Sequence, residues 1–146
     1  MAEALASAHW PRVQGEARGL GFVLRHGGAG EAVPWLLVHS INAAASAAEL
    51  APLAERLATQ GPVALLELPG FGDAERPEHP YAIEDFVAAI GAAQRWAADY
   101  FGQAPVLCAL SLSAEFAARA VLWGAPLPPA VVWISPTGLD SRSLRR

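Results

Sequence analysis

Four short apolar runs, none interrupted by a charge and each followed by a polar or glycine-containing turn, constrain this chain most: Trp35–Val38, Val63–Leu66, Val106–Leu110 and Val131–Ile134. A strand with one wet face alternates apolar and polar residues, whereas an unbroken run suits a strand covered on both faces. Helical spacing fills the gaps between the runs. Leu50, Leu53, Ala54 and Leu57 repeat on one stripe, as do Phe86, Ile90, Ala93 and Ala97 within Tyr81–Phe101, and Phe116, Ala120 and Trp123 within Leu112–Trp123. Strand and helix in unbroken alternation predict an α/β fold, a mostly parallel sheet with helices on both faces. One domain is expected over 1–146, with its core at about 30–140. Ahead of it, Val13 to His26 reads as an antiparallel hairpin or edge strand, Phe22, Val23 and Leu24 lying among glycines.

Local signals set the helix ends. Ser46 followed by Glu49 has the form of a capping box, Pro52 must lie near the helix start or bend it, and Gly61-Pro62 closes the helix. Glu84, Asp85, Arg95 and Asp99 fall off the apolar stripe of the long helix and are expected away from the core.

Several function classes drop out on charge and composition. The ten basic residues are all arginine and scattered, and the net charge is -4, so no basic stripe faces a nucleic-acid backbone. Gly124, Pro126, Pro128, Pro129 and Pro136 break the uncharged stretch from Ala120 to Leu139, leaving no membrane span. Met1 to Ala8 lacks the basic end and apolar run of a secretion signal, so a cytoplasmic location is the default expectation. The single cysteine, Cys108, sits inside a strand run and reads as an inert core thiol. Gly70-Phe71-Gly72 follows a strand, but Glu75 stands where a dinucleotide fingerprint needs its third glycine, and Pro77 and Pro80 prevent a helix from starting at once. No metal cluster and no cofactor cradle are expected.

In sheets of this kind, chemistry gathers where strands end and helices begin, because loop amides and helix N-termini point there. Three segments qualify: His39 to Asn42, Pro69 to Asp73 and Leu110 to Ser113. The last is the most informative. Val106-Leu107-Cys108-Ala109-Leu110-Ser111-Leu112-Ser113-Ala114 runs from strand through a single serine into a helix, the context of a nucleophile elbow. Such a turn needs small residues on either side, and Ala109, Ser113 and Ala114 are small, although alanine and serine replace both glycines of the usual G-x-S-x-G. A serine that merely caps the helix would look the same locally.

Taken together, the three segments resemble the α/β-hydrolase superfamily. Val38-His39-Ser40-Ile41-Asn42 is similar to its HG oxyanion segment, and Leu68-Pro69-Gly70-Phe71-Gly72 with Arg76-Pro77 to its D-x-P-G-x-G-x-S-x-R-P loop. Ser111 falls where its nucleophile falls, and Ile134-Ser135-Pro136-Thr137-Gly138 resembles the segment closing the next strand. Ser40 replaces the usual glycine, Glu67 the usual aspartate and Ala74 the usual serine. The resemblance implies a serine hydrolase acting on an ester or other small-molecule acyl substrate without a cofactor. Ser111 would be the nucleophile, the N–H groups of Leu112 and Ile41 the oxyanion donors, and His39 a structural residue beside them. A serine in place of an aspartate nucleophile disfavours dehalogenation and epoxide opening.

The family places its acid and its base histidine after the nucleophile, and no histidine follows Ser111 in this sequence. Asp140 is a weak candidate for the acid; His9, His26 and His79 read as solvated. A partial α/β-hydrolase fold, truncated before the acid and histidine, is therefore expected, with weak or no turnover. The resemblance would leave Val131–Ile134 as an exposed apolar edge, open to self-association. The alternative function is a non-catalytic remnant that uses this edge as a binding module.

Overall fold

The fold is described by a computed structural model over residues 6–139. The expected hairpin is present, formed by β1 (Arg12–Ala17) and β2 (Leu20–Gly27) and turning at Arg18 and Gly19, both with positive φ. After it come β3 (Trp35–Val38), a 3-10 turn (Ala47–Leu50) running into α1 (Ala51–Ala58), and β4 (Val63–Glu67). Next are α2 (Ile83–Phe101), β5 (Val106–Leu110), α3 (Ser113–Leu122) and β6 (Val131–Ile134). All six strands join one sheet in the order β1-β2-β4-β3-β5-β6. The hairpin is antiparallel to β4, while β4, β3, β5 and β6 run parallel.

That order decides where a site can form. From β3 the chain crosses to β4 on one side, then returns to β5 on the other, so β3 and β5 are neighbours with Val38 opposite Ala109. Loops leaving such a pair diverge and open a crevice at the carboxyl ends of the strands.

Both faces of the sheet are covered, which explains the unbroken apolar runs. Leu36, Val38, Leu66, Leu107 and Ala109 pack against α2 and α3. On the opposite face Leu37, Val63, Leu65 and Cys108 meet α1 and the turn before it. Phe86, Ile90, Ala93 and Ala97 are buried along α2, as their spacing predicts. Phe86 stacks on Phe116 of α3, with ring centroids 5.6 Å apart and planes 7° from parallel.

Four local expectations need correction. Glu49 does not complete a capping box: Ser46 Oγ accepts the Ala48 N–H, but the Glu49 carboxylate accepts from Ser40 Oγ. Asp85 is buried, because it accepts the Ala82 N–H at the start of α2 and pairs with Arg18 of the hairpin at 3.1 Å. The Ala82 N–H, and then the Arg18 guanidinium, hold its carboxyl below the usual carboxylate range against an opposing push from burial. Trp123 is 60% exposed: α3 stops at Leu122 and the chain turns out through Gly124 at φ 99°. His26 is half-buried against the rings of Trp96 and Tyr100, and burial lowers its pKa.

β6 pairs with β5 along one side only, and Val131 and Val132 on it are 47% and 37% exposed. Among the described residues no helix is long and apolar enough to cross a membrane.

Candidate functional site

Ser111 occupies the turn between β5 and α3 with φ 58°, the left-handed region that side chains with a Cβ avoid. Holding a non-glycine residue there costs about 1–3 kcal/mol, so its neighbours must enforce it. They do so from both sides. The Ser111 N–H donates to Ile134 O at 2.9 Å, anchoring the turn to β6, and its carbonyl accepts the Ala114 N–H at 3.1 Å, opening the helix. Ala109, Ser113 and Ala114 are buried, whereas Ser111 and Leu112 are half-buried at the rim. The serine therefore does not lie along a regular helix. Ser113 Oγ donates to His39 O at 2.5 Å and binds the start of α3 to the loop after β3.

That loop is organised around His39, which has no exposed surface. Nε2 lies 3.1 Å from the Leu68 N–H, which can only donate, so Nε2 is the acceptor and the proton sits on Nδ1. Nδ1–H donates to Ser40 O at 2.6 Å. Burial pushes the pKa of the ring below the ordinary histidine value, outweighing the opposite pull of the Ser40 carbonyl, Glu49 and Glu67. His39 is thus a neutral strut between the loops after β3 and β4. Both nitrogens are occupied, and it has none left to accept a proton from a nucleophile.

Ser40 is also buried, and its hydroxyl is the hub of a second set of bonds. Asn42 Nδ2 donates to Ser40 Oγ at 2.7 Å, and Ser40 Oγ donates to the Glu49 carboxylate at 2.7 and 2.8 Å. Ile41, between Ser40 and Asn42, packs half-buried against the same core cluster as Leu112 and Phe71. In the paired strands Val38 faces Ala109, so Ile41 and Leu112 stand at equivalent steps beyond that pair. Among the described residues neither the Ile41 nor the Leu112 N–H is spent on a backbone acceptor. The Leu112 group lies at the N-terminus of a ten-residue helix, where the local field favours negative charge.

The loop after β4 forms the other wall. Gly70 adopts φ 86°, and a Cβ there would strike the Tyr81 hydroxyl, so only glycine fits. The Gly70 N–H donates to Glu75 O at 2.7 Å and Arg76 Nη1 donates to Gly70 O at 2.8 Å, closing the loop on itself. Glu67 is buried against Gly72 and accepts the Asp73 N–H at 3.0 Å. Between this loop and the His39 loop lies an open cleft of about 330 Å³, lined in part by Ile41, Asn42, Phe71, Arg76 and Tyr81. Arg76 is the one charged residue among those lining it. A hollow of about 350 Å³ along the hairpin is bordered by Asp73 and Glu75 of the loop after β4 but reaches none of Ile41, Phe71 and Ser111. Its remaining walls are hairpin residues, Gln14 to Glu16 and Gly21 to Val23.

Cys108 is fully buried in β5, and desolvation pushes its thiol up to about 11, a protonated and unreactive state at neutral pH. Among the described residues no group of histidines, cysteines and carboxylates could hold a metal ion. Asp140 lies outside the described residues. Sequence reasoning missed Glu49 and Ser113 as loop-fixing residues. Ser113 carried no signal beyond its small size, while the signal at Glu49 pointed to a different partner.

Among solved structures, the chain is similar to an alpha/beta hydrolase from Sphaerobacter thermophilus, with 25% identity and a TM-score of 0.70 over 88% of this chain and 47% of that one. It is also similar to a membrane phospholipase A, a bacterial virulence factor, with 20% identity and a TM-score of 0.72 over 93% and 43% of the two chains. A loop variant of a haloalkane dehalogenase from Bradyrhizobium elkanii gives 18% identity and a TM-score of 0.69 over 86% and 40%. The chain therefore spans less than half the length of each of these structures. No protein-family model and no curated protein matches the sequence.

Proposed function

Because the chain carries the α/β-hydrolase fold, we propose that it bears the nucleophile and oxyanion half of a serine hydrolase acting on a small-molecule ester or related acyl compound. One observation carries this reading: Ser111 sits at a strand-to-helix junction in a left-handed conformation that costs energy and that an ordinary helix-capping serine has no need to adopt. In the reaction Ser111 Oγ attacks the acyl carbonyl while its proton passes to a base. The N–H groups of Leu112 and Ile41 receive the charge that develops on the carbonyl oxygen. Collapse of the tetrahedral species expels the alcohol, and water then releases the acid. A donor of this kind is worth about two to three orders of magnitude in rate.

His39 is a support in this scheme and not the base, since both of its nitrogens are already bonded. No histidine follows Ser111 in the sequence, so the proposal for these residues covers attack and charge stabilisation, and the source of the base stays outside it. The phospholipase and the dehalogenase share the scaffold, so fold alone does not choose the chemistry. The residue at the elbow does, and a hydroxyl there favours acyl transfer.

Labelling with a fluorophosphonate tests the proposal. One covalent adduct is expected, read by intact mass and lost in Ser111→Ala; absence of any Ser111-dependent adduct overturns it. The open side of β6, with Val131 and Val132 exposed, favours a second reading as an association module whose partner is a second copy of the chain. Size-exclusion chromatography with light scattering decides that point: a dimer dissociated by Val132→Lys supports it, and a stable monomer refutes it.

A further inference from the structure

We propose that Glu49, acting through Ser40 and Asn42, is a positioning residue that aims the Ile41 N–H into the crevice. The inference rests on the hydrolase reading for its catalytic meaning but not for its geometry. Donors and acceptors can be assigned one by one. Ala44 N–H donates to Asn42 Oδ1 at 3.0 Å, and because a backbone N–H cannot accept, the amide orientation of Asn42 is fixed. Asn42 Nδ2 must then donate to Ser40 Oγ, and the only direction left for the Ser40 hydroxyl proton is the Glu49 carboxylate.

The peptide between Ser40 and Ile41 is the unit being held. It is planar and trans, so the Ser40 carbonyl and the Ile41 N–H point in opposite directions. His39 Nδ1–H grips the carbonyl end of this plane at 2.6 Å. Glu49 accepts from the Ser40 hydroxyl, and Asn42, the residue after Ile41, is tied to the same oxygen. With all three in place the peptide cannot rotate without breaking charge-assisted and buried hydrogen bonds. Without the carboxylate the Ser40 hydroxyl loses its acceptor, the Asn42 link loosens, and the plane is held by His39 alone, so the Ile41 N–H wanders from the place where an oxyanion forms.

This arrangement also accounts for the departure at Ser40. A glycine at this position has no side chain to hold, so the loop would depend on His39 alone. The serine hydroxyl adds an anchor to the 3-10 turn before α1, nine residues along the chain. Glu49 makes no contact with Ser111 in this network; its effect is on orientation.

Two readouts on the full chain separate this proposal from the hydrolase reading. The first is the backbone ¹⁵N order parameter of Ile41 in wild type, Glu49→Ala and Glu49→Gln, with Leu37 in β3 as an internal control. A fall confined to Ser40–Asn42 in Glu49→Ala, with Glu49→Gln near wild type because its side-chain carbonyl accepts the same proton, is expected. An unchanged Ile41 in Glu49→Ala overturns the inference whether or not Ser111 reacts. The second is the rate constant of Ser111 phosphonylation. Glu49→Ala should lower it about tenfold or more, a share of what a lost oxyanion donor costs, and Glu49→Gln should restore most of it. A loosened Ile41 with an undiminished rate also overturns it, since the donor would not then depend on the clamp. No labelling in wild type removes the hydrolase reading and leaves the order parameters to decide the positioning role.

Discussion

Lowering the pH from 7.5 to 5.5 should destabilise the protein through one identifiable group, His39. Its ring has no exposed surface, accepts the Leu68 N–H at Nε2 and donates from Nδ1. A second proton would set N–H against N–H at Leu68 in a site with no exposed surface, so burial keeps the folded ring neutral and its pKa below the ordinary value. In the unfolded chain the ring titrates near about 6.5. Below that value the unfolded state takes up a proton that the folded state refuses, so the equilibrium shifts toward unfolding. The contribution of His39 is therefore complete above the unfolded pKa and is lost progressively as pH falls from there toward the lower folded pKa. If the folded ring stays neutral throughout, the loss at pH 5.5 is about 1.4 kcal/mol for a single proton. With a urea slope typical of a small protein, that is roughly 0.5–1.4 M in the midpoint.

The assay is urea unfolding of wild type and His39→Gln at pH 7.5, 6.5 and 5.5, followed by tryptophan fluorescence. His26 is also shifted downward by burial and acts with the same sign, but it is present in both proteins and cancels in the difference. At pH 7.5 the variant should be less stable by about 1–3 kcal/mol, because the glutamine amide cannot hold the Leu68 N–H and the Ser40 carbonyl together as the ring does, and one buried group is left unpaired. The gap between the two proteins should then narrow by about 1.4 kcal/mol on acidification. A gap that does not change with pH would mean that the ring titrates alike in both states, and the two-ended hydrogen bonding assigned to it would be wrong.

Further consequences follow from other residues. Ser111→Gly should remove left-handed strain of about 1–3 kcal/mol at a backbone-entropy cost of about 0.5–1 kcal/mol, so urea unfolding should show an unchanged or more stable protein that has lost all labelling. Destabilisation would show that the turn is not strained. Gly70→Ala should be destabilising, since its Cβ meets the Tyr81 hydroxyl at φ 86°. Adding Tyr81→Ala should recover part of the loss but not the part due to backbone strain, and full recovery would refute a role for φ. Cys108, buried and with its thiol pushed up to about 11, should not react with a coloured disulfide reagent in the folded protein and should react fully in urea. Rapid native reaction would place it at the surface.

What the sequence determined by itself is the set of elements and the strand-to-helix junction at Ser111. The runs at Trp35–Val38, Val63–Leu66 and Val106–Leu110 are legible because a strand covered on both faces is apolar along its middle, and the stripe from Phe86 to Ala97 because one helix face meets the sheet. Ser111 stands out because the small residues a tight turn requires are its chain neighbours. The residues that hold the site were decided only by tertiary structure. Glu49 has a local partner in Ser46 and a distant one in Ser40, and the buried hydroxyl wins because it has no water to bond to, whereas the exposed helix start does. Asp85 lies off the apolar stripe, yet the hairpin brings Arg18 over it, and Trp123 keeps the helical spacing but falls just after the helix has stopped. Spacing along a chain records which face a residue occupies while its helix lasts. It does not record what another strand or loop, dozens of residues away, will bring against that face, and the polar groups in the loops that carry Ile41 and Leu112 are satisfied from there.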